Sequence, residues 1–392
     1  MAFLSFAGAE TGHIHLENLT LTGTTQTFDT GTKRSGTRSF KFDSSAACYL
    51  EQGVTAAALN RSYFGCAHFL LPAATGLPST ATTTIVQFAT GTDTPLNVAL
   101  TSGGKIQLRD HAGAQIGSDS VATIGTDTWY RIEFEGRNNS AGSDVATIRL
   151  DGVQVATGAP VFGANVPNRF RFGWVTDPGT SEVIFFDDIA LKDDTGSVHN
   201  TWIGQHAVRV LLPTADSSDG NWTDGAGGTA SVFEGVNNTP PVGVATTASG
   251  ANNQIENANA TVPNNYDATM QTYTAAGVTG TVAALFGVWE GGSSSTTGSD
   301  TINGSVVSNP AVAAASSSVD IVAGTYPASW IRGATAISEN PSVTLGTAPV
   351  MRVTKTVSST RINTVCYMGI MVDEIPTPPA TIQRLRPVMH IG

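Results

Sequence analysis

The chain has 392 residues, 13% of them charged and 40% hydrophobic, and a formal net charge of −11. This balance excludes a nucleic-acid partner, which needs a basic stripe; the densest basic cluster, Lys33-Arg34 with Arg38, reads as a solvated loop. The apolar content excludes wholesale disorder. Too few Lys, Glu and Arg remain to clothe many exposed amphipathic helices, whereas the abundant Gly, Ser, Thr, Ala and Asn suit short strands and turns.

No stretch approaches the roughly 18 apolar residues of a membrane-spanning helix. The N-terminal MAFLSFAGAETG lacks the basic region and the apolar length of a signal peptide. A chain that folds in a reducing cytosol is expected, without membrane insertion. Cys48, Cys66 and Cys366 are an odd set without tight spacing, so they read as small buried thiols and form neither a disulfide framework nor a zinc site.

Strand signals then follow in chain order: SFKFD (39–43), TTIVQFA (83–89), KIQLRD (105–110), YRIEFEG (130–136), VATIRLDG (145–152), RFRFGW (169–174) and EVIFFDDIAL (182–191). Each alternates apolar and polar residues, or is a short apolar run, between Gly, Asp, Asn or Pro. Asp151-Gly152 predicts a tight hairpin and Asp177-Pro178-Gly179 another turn. Helical signals are confined to TAAALN (55–60) and the alanine-rich AVAAASS (311–317). Near 192–207 the texture changes from aromatic-rich strands to Ala, Ser and Thr with long loops. A second set follows: AVRVLL (207–212), YDATMQTY (266–273), TVAALFGVWE (281–290), SVDIVAG (318–324), PVMRVTKT (349–356) and INTVCYMGIMVDE (362–374). The fold class predicted is all-β: a first sandwich over 1–200, a second over 201–376 and an extended tail over 377–392. Period two places Phe134, Phe172 and Phe186 in the first core, with Trp129 behind its hairpin.

Two stretches carry a resemblance. Thr128-Trp129-Tyr130-Arg131-Ile132-Glu133 with Ile148-Arg149-Leu150-Asp151-Gly152 resembles the hairpin of the laminin-G and concanavalin-A-like jelly-roll superfamily. Phe185 to Leu191, followed by Asp194-Thr195-Gly196 and by Asn200 and Trp202, resembles the last strand of that domain as bacteriophage proteins carry it. The resemblance implies a lectin-like jelly roll followed by a second β-domain on a virion, assembled in the host cytoplasm.

Candidate chemistry is sparse. Glu133 and Glu135 share the alternate spacing of jelly-roll glucanase carboxylates, but the third acid is replaced by Arg137, so two acids on a wet strand face are expected. Asp187, Asp188 and Asp194 are the calcium candidates, set against buried carboxylates that bond loop N–H groups. His13 and His15 share a strand face but lack a third ligand nearby. Serine-hydrolase, zinc-protease and phosphate-loop motifs are absent. Trp174, Trp202, Trp222 and Trp289 lie near predicted loops or strand ends and are the candidates for stacking on sugar rings.

The expectation is therefore a non-catalytic virion protein, a minor tail component presenting a lectin-like domain to host-surface glycan, without cofactor unless calcium binds. The alternatives are a capsid decoration protein, a glycan depolymerase and a secreted adhesin. Self-association into a homo-oligomer is expected, as are contacts with other virion proteins. The tail is expected to dock on one of them or on a neighbouring subunit through Ile382, Arg384, Leu385, Arg386, Val388, Met389 and Ile391, after Pro376, Pro378 and Pro379 end the preceding strand.

Overall fold

The computed structural model describes residues 3–12, 19–53, 62–90, 93–137, 144–159, 168–195, 201–224, 232–236, 255–257, 263–293, 299–310, 312, 319–322, 331–335, 337–339, 341–356 and 363–377. Among them the chain is all-β apart from a single 3-10 turn, Val232–Gly235. The first fifteen strands, β1 to β15, are Phe3–Ala7, Thr20–Thr22, Gln26–Asp29, Ser39–Ser44, Cys48–Gly53, Ser62–Leu70, Thr82–Thr90, Asp93–Thr101, Ile106–Arg109, Gln115–Ile116, Tyr130–Arg137, Val145–Leu150, Val153–Gly158, Arg169–Trp174 and Glu182–Asp193. They form two antiparallel sheets. Sheet A runs β13-β12-β11-β6-β15-β4-β3 with β1 beside β15, and sheet B runs β10-β9-β8-β7-β14-β5-β2.

The inner faces of A and B interlock through phenylalanines placed by the two-residue period. Phe134 stacks on Phe170 at 5.2 Å and meets Phe88 edge-on at 4.7 Å, while Phe172 contacts Phe186 at 5.7 Å. Phe134, Phe172 and Phe186 are fully buried, as the period predicts. Trp129 is not in this core. It is half-buried against Leu70, Val183 and Phe185 on the outer face of sheet A, because it precedes β11 and lies outside the alternation that aims Ile132 and Phe134 inward. Asp151 and Gly152 both take positive φ, 51° and 84°, which builds the tight β12–β13 hairpin.

The remaining strands, β16 to β27, are Ala207–Leu211, Pro213–Ser218, Thr223–Asp224, Ile255–Asn257, Asn264–Met270, Thr281–Ser293, Ser299–Ser308, Val319–Val322, Ile331–Ala334, Ser338–Glu339, Val350–Lys355 and Asn363–Ile375. Sheet C runs β18-β19-β27-β21-β24, with β16 on β27 and β25 on β21; sheet D runs β17-β20-β26-β22-β23. Their shared core includes Trp222, Tyr266, Trp289, Met351 and Met368.

The outer face of sheet A is covered over β1, β6 and β15 and stays partly solvated at Lys41 and Asp43 of β4. Phe6, Cys66 and Ala190 pack with Val208, Phe286, Val288, Tyr367 and Met371 of the second unit in one apolar cluster. Phe6 meets Phe286 edge-on at 4.9 Å. Buried polar groups accompany this seam: Glu133, His68, Asp187, Asp188, Lys192, His206 and Asp373 are each at most 2% exposed. The expectation of solvated carboxylates therefore fails at Glu133, which accepts the Gly204 N–H at 2.7 Å and lies beside Arg131 at 3.1 Å.

Candidate functional site

The outer face of sheet B carries a polar row that only the strand register assembles. Thr20 on β2 lies opposite Glu51 on β5, and Glu51 opposite Arg171 on β14. Arg171 lies opposite Gln87 on β7, Gln87 opposite Asn97 on β8, Asn97 opposite Arg109 on β9, and Arg109 opposite Gln115 on β10. One side chain from each of seven strands thus lines up across the sheet. Their inward neighbours, such as Leu50, Phe170, Phe172, Val98 and Leu108, fill the core.

The row is preorganised by hydrogen bonds. Arg171 Nε donates to Glu51 at 2.7 Å and its Nη1 to Gln87 Oε1 at 2.8 Å. Gln87 Nε2 donates to Asn97 Oδ1 at 2.6 Å, and Asn97 Nδ2 to the Asp110 carbonyl at 2.9 Å. Arg109 is held by Gln107 Oε1 at 2.8 Å and by the Gly113 carbonyl at 2.8 Å. Arg171 also lies 5.3 Å from the Tyr49 ring centroid. Above Gln87, Asn97 and Arg109 is an open groove of ≈ 530 Å³ whose walls include Thr82, Thr84, Thr176 and Asp177, with His111 in the turn after β9. The acid among its walls is Asp177, whose Oδ1 accepts the Gly179 N–H at 2.7 Å; Glu51, farther along the row, is paired with Arg169 and Arg171.

The aromatic candidates lie elsewhere. Trp174, Trp222 and Trp289 are at most 1% exposed and cannot stack on a sugar. Trp174 continues the inward alternation of Phe170 and Phe172, and its indole N–H reaches the Glu182 carbonyl at 3.0 Å. Trp289 is seated over Gly304, where a Cβ would lie 2.3 Å from the ring. Trp202 is half-buried, with Arg149 3.8 Å from its ring centroid.

The calcium candidates are occupied by donors. Asp187 accepts the backbone N–H groups of Arg34 at 2.8 Å and Ser35 at 3.2 Å. Asp188 accepts the Arg34 guanidinium, the Ser35 hydroxyl at 2.6 Å and the Val208 N–H at 2.7 Å. A bulge in β15, with Asp188 at φ 48°, lets neighbouring carboxylates reach one loop despite strand alternation. Burial, then the neighbouring Asp188, pushes the Asp187 carboxyl well above the usual range. Asp194 is apart, beyond the end of β15, accepting the Ser62 N–H at 3.2 Å. Glu135 takes the Ser62 hydroxyl at 3.3 Å. His13, His15 and residues 378–392 lie outside the described residues, as does the side chain of Cys366.

A group not anticipated from sequence is Cys66, His68 and His206. One ligand atom from each, all buried, lies within 4.8 Å of the others. The His206 Nδ1 pairs with Asp373 at 2.8 Å, and the His68 Nδ1 faces the Asp188 carbonyl at 3.4 Å. The sequence signal was the Cys-x-His spacing on one strand face; His206 lies far off in the chain.

Among known proteins, no family model matches the sequence and no curated protein matches it. Solved structures match the sandwich fold. An endo-β-1,4-glucuronan lyase from the fungus Trichoderma reesei aligns at 14% identity over 43% of this chain and 86% of that one, TM-score 0.36. A carbohydrate esterase from the Shiga toxin-encoding bacteriophage phi24B aligns at 12% identity over 48% and 97%, TM-score 0.38. The botulinum neurotoxin type G receptor-binding domain aligns at 12% identity over 49% and 48%, TM-score 0.34. These likenesses concern the β-sandwich frame, which agrees with the jelly roll expected from sequence. They also correct the expectation of a non-catalytic chain. Structures sharing the frame include glycan-processing enzymes as well as a receptor-binding domain, so a jelly roll without a familiar motif is no ground for excluding catalysis.

Proposed function

We propose that the chain is a glycan-processing protein that holds an acidic polysaccharide along the polar row of sheet B. The observation that carries this reading is the unbroken Glu51-Arg171-Gln87-Asn97-Arg109 alignment, whose Gln87-Asn97-Arg109 end forms the floor of an open groove. Strands are spaced about 4.8 Å apart, so these five positions span roughly 19 Å, which suits an extended polymer. Amides offer donors and acceptors to sugar hydroxyls, and guanidinium groups pair with carboxylates.

The same chemistry favours elimination over hydrolysis. Glycoside hydrolysis uses a pair of carboxyl groups flanking the bond, whereas the described walls of the groove carry one acid, Asp177. Elimination at a uronic acid needs its carboxylate neutralised and a base for the adjacent C–H proton. Arg109 and Asn97 fit the first task, and His111 supplies an imidazole for the second. The base takes the proton, its electron pair becomes a ring double bond, and the glycosidic oxygen leaves from the next carbon and takes up a proton.

The test is a screen of the full chain against acidic and neutral polysaccharides, read by the ultraviolet absorbance of unsaturated products. Absorbance growing with an acidic polymer, and lost in His111→Ala, supports the reading. Absence of product from every acidic polymer, or reducing ends released without that absorbance, overturns the eliminative step.

The proposed setting is the surface of a phage particle, where the protein meets host-envelope glycan. Support comes from the phage-like order of segments around Phe185 to Trp202. Mass spectrometry of purified particles tests it, and absence of the chain from them contradicts it.

A further inference from the structure

We propose that Cys66, His68 and His206 bind a zinc ion that ties the first sandwich to the second. This site is independent of the sheet B groove. Cys66 and His68 alternate on β6 and so project from the same outer face of sheet A. His206 comes from the segment that leads into β16, and its backing carboxylate, Asp373, comes from β27 of sheet C. Ligands and support thus come from both sides of the seam.

Three features point to a metal. First, the donor atoms lie within 4.8 Å of one another, and donors at zinc bond lengths of about 2.0–2.3 Å in a tetrahedron lie roughly 3.3–3.8 Å apart. Small side-chain adjustments close that spacing onto one ion. Second, His68 and His206 are 2% and 0% exposed; the His68 Nε2 has no hydrogen-bond partner among the described residues, and the His206 ring faces the Cys66 sulfur beyond its bond to Asp373. A buried polar atom without a partner is costly, and a cation would satisfy it. Third, each Nδ1 is already held from outside, by the Asp373 carboxylate and the Asp188 carbonyl. Metal-bound histidines are oriented in this way.

The ligand set selects the ion. One thiolate and two imidazoles suit zinc and disfavour calcium and magnesium, which prefer oxygen. A doubly positive ion would be offset by the Cys66 thiolate, Asp373 and Glu133, with Arg131 already paired to Glu133 and Arg34 to Asp188. A nucleophilic Cys66–His206–Asp373 line is the competing arrangement, but the sulfur is 0% exposed and lies in the packed seam, so a substrate has no approach. A cation would enter as the seam forms, so binding would couple to folding.

The experiment uses the full chain, produced with zinc in the medium and purified without chelator. Elemental analysis is expected to find one zinc per chain. Cobalt(II) exchange is expected to give a thiolate-to-metal charge-transfer band in the near ultraviolet. Cys66→Ser abolishes the band, and Asp373→Asn, which removes only the backing carboxylate, weakens metal affinity about 10–100-fold. Should Cys66→Ser fail to fold, the cobalt spectrum of the unmutated chain still decides. A natively melting protein that holds no zinc and develops no thiolate–cobalt band overturns the proposal. So does a folded Cys66→Ser variant that keeps its full metal content.

Discussion

Gly65 on β6 lies directly opposite Phe134 on β11, and a Cβ at residue 65 would stand 1.7 Å from the Cζ of that ring. The ring occupies the space that a side chain at 65 would need, while stacking on Phe170 and meeting Phe88. Gly65→Val should therefore force the aromatic layer apart. Overpacking of this kind costs about 1–3 kcal/mol, measured as a lower denaturation midpoint at unchanged slope. Combining Gly65→Ala with Phe134→Leu should recover part of the loss suffered by Gly65→Ala alone.

Asp188 holds the Arg34 loop and the entry to β16 together through Arg34, Ser35 and Val208. Asp188→Asn keeps the shape but leaves the guanidinium without its charge partner. Breaking one side of a buried pair costs about 3–5 kcal/mol, so thermal unfolding should shift down strongly. A change in melting temperature within error of zero would contradict this role.

Lys192 is buried, its Nζ has no hydrogen-bond partner among the described residues, and it lies 5.4 Å from the Phe64 ring centroid. Burial drives its pKa down from 10.5 to about 7, against the opposing pull of Asp373 and Glu133. The unfolded chain then binds this proton more tightly than the folded one, so the group's contribution to stability rises with pH between about 7 and the ordinary lysine range. Lys192→Met should stabilise the protein most at or below neutral pH, with the gain shrinking as pH approaches 10. Chemical denaturation at a series of pH values checks the slope; a gain that grows with pH would refute it.

Much of the fold is legible because one-sided burial leaves a period of two, as in Phe40 and Phe42 or Phe170 and Phe172. The strand Ser62–Leu70 escapes that reading because both its faces are buried, Tyr63, Ala67 and Phe69 towards sheet B and Phe64, Cys66 and Leu70 towards the seam or the half-buried Trp129. The polar row escapes for a different reason. Gln87, Asn97, Arg109 and Arg171 sit on four strands and share no local spacing; only pairing register aligns them. The tryptophans mislead because strand ends look exposed in sequence, whereas Trp174 continues the inward face of Phe170 and Phe172 and Gly304 leaves the room that seats Trp289.

Arg109 is the groove's main charged donor and is half-buried. Arg109→Ala should leave folding nearly unchanged yet weaken binding of an acidic oligosaccharide by about 1.5–3 kcal/mol, the range for hydrogen bonds to charged groups. That is more than tenfold in affinity, measurable by titration calorimetry. An equal loss for a neutral oligosaccharide would mean that carboxylate recognition is not its role.

Glycan binding on the polar row of sheet B can be seen outright by diffraction from crystals soaked with a short uronic-acid oligosaccharide. Sugar density is expected across Arg171, Gln87, Asn97 and Arg109, with a carboxylate on a guanidinium and His111 at the adjacent ring. Sugar bound on another face of the protein, with this groove filled only by solvent, would contradict it.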